Sequence, residues 1–185
     1  MRQIRNNVFE TNSSSIHSIA ISKEPVAGFP NAIRFYLGKY GWEFDDVSPA
    51  SYLYTAIMAI HDKKDRDNKL NKLKSILDSR GIKYEFETPK FDDYGWLDNG
   101  FIDHSGELST FIKTVLSDEG MLMRLLFGNS CVFTGNDNSD AEEQAYIRRW
   151  EKEYRNYDWK TKTVTVGENP YYMGKDDYDW FYKGN

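Results

Sequence analysis

The sequence predicts an α+β domain in which a mixed or largely antiparallel sheet of about five or six strands carries four or five packed helices. Two strand-like runs at the start, 4–9 and 16–22, are joined by a polar segment of hairpin length. The helical and strand-like stretches that follow do not alternate strictly, which argues against a parallel, doubly wound sheet. A length of 185 residues suffices for one well-cored domain. The chain is therefore read as one domain over 1–185, with an aromatic-rich tail over 168–185.

After the opening hairpin, Pro25, Gly28 and Pro30 mark a loop over 23–31, and 32–37 reads as a strand. Segment 38–46 sets aromatic residues between glycines and acids, so it is expected to be an ordered loop or bulged strand with packed rings. Ser48-Pro49 is a helix start, with Ser as N-cap and Pro at the first helical position, where its missing N–H costs nothing. That helix is expected to run to about residue 62. Leu70, Leu73, Ile76 and Leu77 at helical spacing predict an amphipathic helix over 65–79, stopped by Gly81.

A strand over 82–88 leads to a second acid-aromatic loop over 89–103. Ser105 is then expected to cap a core helix bearing Leu108, Phe111, Ile112, Val115 and Leu116. A break at 118–120 separates it from an apolar helix over 121–127, and 130–134 reads as a strand. Ser139 with Glu142 forms a capping box, predicting a helix to about residue 154. A strand over 161–166 follows. The rings of the tail are expected to dock on the body rather than stand free.

Aromatic residues make up 16% of the chain while all apolar types reach only 39%, so core and clefts lean on Tyr, Phe and Trp. Thirteen tyrosines imply adhesive surface as well as core. The single cysteine, Cys131, excludes an internal disulfide, fits a reducing compartment, and reads as a small buried strand residue. No apolar run approaches a membrane span and no signal-peptide core is present, so a cytoplasmic protein without membrane attachment is expected. Three histidines and one cysteine at 17, 61, 104 and 131 lack ligand spacing, so no metal and no cofactor are expected.

Net charge is −5, unevenly spread. Between Glu85 and Glu143 stand thirteen acidic residues against Lys90, Lys113 and Arg124, a local balance of −10, while the remainder comes to +5. Such a middle argues against direct nucleic-acid binding, because phosphates are met by Lys and Arg. It reads either as an ordinary solvated face or as one that docks on a basic protein surface.

Two polar clusters carry the candidate chemistry. In the first, Thr11, Asn12, Ser13, Ser14 and Ser15 offer consecutive backbone N–H groups and hydroxyls that can hold a phosphate or carboxylate, with Glu10 and His17 flanking as acid and base. The second is Asn136, Asp137 and Asn138, whose carboxylate and amides follow a strand and also make a turn. A structural turn is the plainer reading of each. His17 shares a strand face with Ile19 and Ile21, so it also reads as a core imidazole. If the clusters serve one ligand, they must meet in space.

Residues 5–18, Arg-Asn-Asn-Val-Phe-Glu-Thr-Asn-Ser-Ser-Ser-Ile-His-Ser, resemble the opening of a group of largely uncharacterised proteins from bacteriophages and bacterial mobile elements that share a Phe-Glu-Thr-Asn-Ser-Ser-Ser-x-His-Ser motif. Lys-Tyr-Gly-Trp-Glu at 39–43 and Thr-Gly-Asn-Asp-Asn at 134–138 are similar to later landmarks of that group. The resemblance implies a phage or mobile-element origin and a shared site, but no activity.

Two functions compete. The first is an accessory protein that binds and inhibits or redirects a bacterial host machine, of the anti-CRISPR or another anti-defence type, through an acidic, aromatic-rich surface. The second is a small enzyme or binder for a nucleotide or other phosphorylated ligand, using the 12–15 run, His17 and Asp137. The binding reading ranks first and catalysis is not expected.

Overall fold

The computed structural model describes residues 15–41, 45–136 and 139–183. The expected strand over 4–9 and the rings of Trp42 and Phe44 lie outside the described residues. The fold is α+β, as expected. Its strands, however, are divided among one four-stranded sheet and three short ladders.

The chain enters at β1 (Ser15–Ser22), whose eight residues are all buried. Two short strands follow, β2 (Ala32–Phe35) and β3 (Lys39–Tyr40), and then β4 (Asp45–Val47). Helix α1 (Pro49–Met58) starts where Ser48 Oγ accepts the Ser51 N–H, and residues 50–58 are buried without exception. It ends four residues before the expected boundary, because Asp62 accepts the Asp65 N–H at 2.7 Å and so opens α2 (Lys63–Ser79). Gly81 follows with φ of 68°, a left-handed conformation suited to glycine.

β5 (Lys83–Phe86) pairs in parallel with β2, and β6 (Phe101–Ile102) in parallel with β3. Ser105 caps nothing. His104, at φ of 52°, precedes a 3₁₀ turn (Ser105–Leu108) that leads into α3 (Ser109–Ser117). Asp118 alone forms the break, accepting the Met121 N–H to start α4 (Glu119–Phe127).

β7 (Cys131–Asn136) includes Gly135 and Asn136, which composition assigns to a turn. The cap of α5 (Ala141–Ile147) is Asp140, whose Oδ1 accepts from Glu142 N and Glu143 N, and not Ser139. The helix stops at Ile147, well short of 154. The carbonyls of Ala145, Arg148 and Glu151 all receive the side-chain amide of Asn169, at 2.9, 3.3 and 3.1 Å. Released from the helix, β8 (Glu153–Asp158) pairs antiparallel with β9 (Thr163–Glu168). β10 (Tyr178–Lys183) closes the chain.

The main sheet has the order β10-β1-β7-β4 and is antiparallel throughout. Alternation along β1 sends Ser15, His17, Ile19 and Ile21 to one face and Ile16, Ser18, Ala20 and Ser22 to the other. Ile19, Ile21 and Val132 join the main core with α1, α2, α3 and α4. The opposite face lies under α5, where Ser18 Oγ donates to the Ile147 carbonyl at 2.7 Å. The tail docks through β10, which pairs with β1 over six residues, and Phe181 packs against the main core, whereas the rings of Tyr172 and Tyr182 stay exposed.

Candidate functional site

β1 and β10 bring three polar side chains to one sheet face. His17 and Lys183 are cross-strand partners, and Ser15 lies two residues further along the same face. Lys183 Nζ donates to Ser15 Oγ at 2.5 Å and to the Ser15 carbonyl at 3.1 Å. Ser15 Oγ in turn donates to Asp103 Oδ2 at 2.8 Å. Asp103 stands directly after β6, where its N–H donates to the Tyr40 carbonyl.

Ser15 is wholly buried and Lys183 nearly so. Burial pulls the Lys183 ammonium below its ordinary pKa, against the opposing pull of Asp103 and Glu107. For Asp103, desolvation pushes upward but is outweighed by the Ser15 hydroxyl and by its neighbours His104, Lys183 and His17. The carboxyl therefore sits below its ordinary value. A serine beside a lysine can form a base-activated nucleophile. Here Ser15 has no solvent face, its proton points at Asp103, and Lys183 donates to it, which is the geometry of a clamp.

His17 is wholly buried, with Nδ1 2.6 Å from the Tyr52 hydroxyl and the two rings edge to face at 5.7 Å. Its Nε2 has no hydrogen-bond partner among the described residues. Desolvation first, then the positive charge of Lys183, lowers its pKa to about 3. Burial and then Tyr40 raise the Tyr52 phenol well above its usual value, so it keeps its proton. The pair is neutral near pH 7.

Of the residues singled out from sequence, Ser15 and His17 meet in this network. Ser15 and Asn136 are cross-strand partners, which joins the described ends of the two polar clusters. Glu10, Thr11, Asn12, Ser13, Ser14, Asp137 and Asn138 lie outside the described residues. Sequence reasoning missed Lys183, Asp103 and Tyr52. Lys183 had one available signal, as the cation that ends a mostly aromatic strand. Among the described residues, no group of three or more His, Cys, Asp or Glu is placed to hold a metal ion. None of their helices is long and apolar enough to cross a membrane.

A second feature lies on the surface. The acid-aromatic segment over 88–101 is braced by its own hydrogen bonds. Asp92 Oδ1 accepts from Tyr94 N and Trp96 N at 2.9 and 2.8 Å, and the Asp92 N–H donates to the Trp96 carbonyl. Gly95 makes the turn at φ of 85°. Asn99 Oδ1 accepts the Lys90 N–H, and its amide donates to the Thr88 carbonyl. The His61 ring lies 4.4 Å from that of Trp96, and the Arg66 guanidinium 4.1 Å above Phe91.

This frame displays Tyr94 at 74% exposure and Trp96 at 55%, among the exposed carboxylates of Asp92, Asp93 and Asp98. Beside it opens a groove of about 600 Å³, lined by His61, Asp65, Trp96, Phe101, Asp103 and His104 among others. The β8–β9 ribbon is also open to solvent, with Trp159 82% exposed. No family model matches the chain, and neither does any curated protein or solved structure.

Proposed function

We propose that this chain is a phage- or mobile-element-encoded accessory protein that binds a bacterial host protein machine, of the anti-CRISPR or another anti-defence type, and inhibits or redirects it. The observation that carries the reading is the pair Tyr94 and Trp96, two exposed rings on a turn whose backbone is fixed by one carboxylate, Asp92, beside the exposed carboxylates of Asp93 and Asp98. Aromatic side chains on a braced backbone have little main-chain freedom to lose on binding, and such rings are frequent interface anchors. The surrounding carboxylates favour a partner with a basic surface, steer its approach and disfavour nucleic acid. The phage or mobile-element origin rests on the resemblance at 5–18.

The competing reading, a site for a phosphorylated ligand at Ser15 and His17, is weakened by their complete burial and by the commitment of the Ser15 hydroxyl to Asp103 and Lys183. Affinity capture from bacterial lysate, with wild type and Tyr94→Ala compared at low and high ionic strength, tests the proposal. A basic host protein is expected on the wild type alone, released by salt because exposed charges are screened over about 10 Å at 0.1 M. Equal capture by both proteins, or none by either, overturns it.

A further inference from the structure

Building on the reading that the acidic face meets a basic protein, we propose that the groove beside Trp96 is a subsite for one arginine side chain of that partner. The groove is walled by apolar groups, Ile60, Leu97 and Ile112, together with the rings of Trp96 and Phe101. Phe101 is 47% exposed, so like Trp96 it offers ring surface to a ligand. Walls of this kind suit an aliphatic stem ending in a flat, weakly hydrated cation. A volume of about 600 Å³ admits the side chain with its flanking backbone.

The charge in the groove has one source. Asp65 is neutralised by Lys69 at 2.5 Å, whereas Asp103 keeps an oxygen in reserve. Its Oδ2 is engaged by Ser15, while Oδ1 lies 3.8 Å from His104 Nε2, beyond hydrogen-bond length. The carboxyl stays ionised because the clamp behind it holds its pKa down. Trp96 is preset by its contact with His61, and His61 Nε2 is itself fixed 3.1 Å from the Tyr94 carbonyl. Guanidinium rather than ammonium is favoured because it stacks on aromatic faces. The exposed carboxylates of Asp92, Asp93 and Asp98 on the adjoining segment add to the attraction.

The test uses the isolated full-length chain, labelled for NMR and titrated with acetyl-arginine methylamide or its uncharged analogue acetyl-norleucine methylamide. The arginine derivative is expected to shift the Trp96 indole N–H and the Gly100 and His104 amides saturably, with the norleucine derivative far weaker. Trp96→Ala, which removes a half-exposed ring and keeps the main-chain bonds to Asp92, should weaken the arginine response at Gly100 and His104 about two- to thirtyfold. Equal response to the two probes, no saturable shift, or an unchanged response in Trp96→Ala overturns the inference. Because no host protein is present, such a failure leaves Tyr94-dependent capture standing, and a failure of capture leaves the titration interpretable.

Discussion

Lys183 reaches from the last strand to hold both the hydroxyl and the carbonyl of Ser15, at 2.5 and 3.1 Å, and Ser15 passes the contact on to Asp103. One buried cation thereby ties the C-terminal strand, the first described strand and the segment before α3 into a single unit. Removing only the cation leaves the buried Ser15 carbonyl without its Lys183 donor and takes a nearby positive charge from Asp103, which keeps the Ser15 hydroxyl. Lys183→Met, which keeps most of the stem, should cost roughly 1–3 kcal/mol in urea unfolding, and Lys183→Ala more because packing is also lost. A Lys183→Met protein as stable as the parent would mean that burial of the charge cancels its bonds.

The His17–Tyr52 pair gives a pH dependence with a definite sign. The ring titrates near 6.5 when unfolded but at about 3 when folded, so between these values the unfolded chain binds more protons. Stability should therefore fall as pH drops from about 6.5 toward 3, by ~1.4 kcal/mol per unit at most from this group. Asp103, also held below its ordinary value, adds loss in the same direction in the carboxylate range. Urea midpoints compared at neutral and mildly acidic pH should converge in His17→Gln relative to wild type. An equal loss in both proteins would remove His17 from the account.

Local signals carried the positions of the helices, the cap of α1 and the break between α3 and α4, but not the other caps and little of the site. Ser48-Pro49, Gly81 and Asp118 act through backbone groups within a few residues, so their effect is written in adjacent sequence. Alternation along β1 placed His17 with Ile19 and Ile21, which made a core imidazole legible. What joins Ser15 to Asp103 and Lys183 spans 88 and 168 residues, and no periodicity records such a pairing. Ser139 loses the cap to its neighbour Asp140, a choice between two competent residues that the local sequence does not decide.

The early end of α5 was illegible for the same reason, and it gives a third prediction. The Asn169 amide donates to three carbonyls at the helix end, while its Oδ1 accepts the Tyr171 N–H at 2.9 Å. Asn169 is only 5% exposed, so Asn169→Ala strands those carbonyls and should cost about 1–3 kcal/mol. Asn169→Asp keeps the shape and the acceptor but turns a donor into a second acceptor, and should cost more. If thermal unfolding shows Asp tolerated better than Ala, the capping role is wrong.

Gly135 tests how closely α5 sits on the sheet. It pairs with Ile16 on β1, one residue before the Ser15–Asn136 pair, and a Cβ built there would overlap Ile147 Cδ1. Ile147 is fully buried, so its terminal methyl has little room to move aside. Gly135→Ala should destabilise by about 1–3 kcal/mol through overpacking. Ile147→Val alone removes that methyl and should cost about 0.5–1.5 kcal/mol. In the double variant the clash has no partner, since Ile147 Cγ1 is 3.5 Å away, an ordinary contact. The two changes should then cost less together than Gly135→Ala costs alone, a coupling readable from a double-mutant cycle of urea unfolding. Simple additivity would place the strain of Gly135→Ala in the backbone of β7 and separate it from α5.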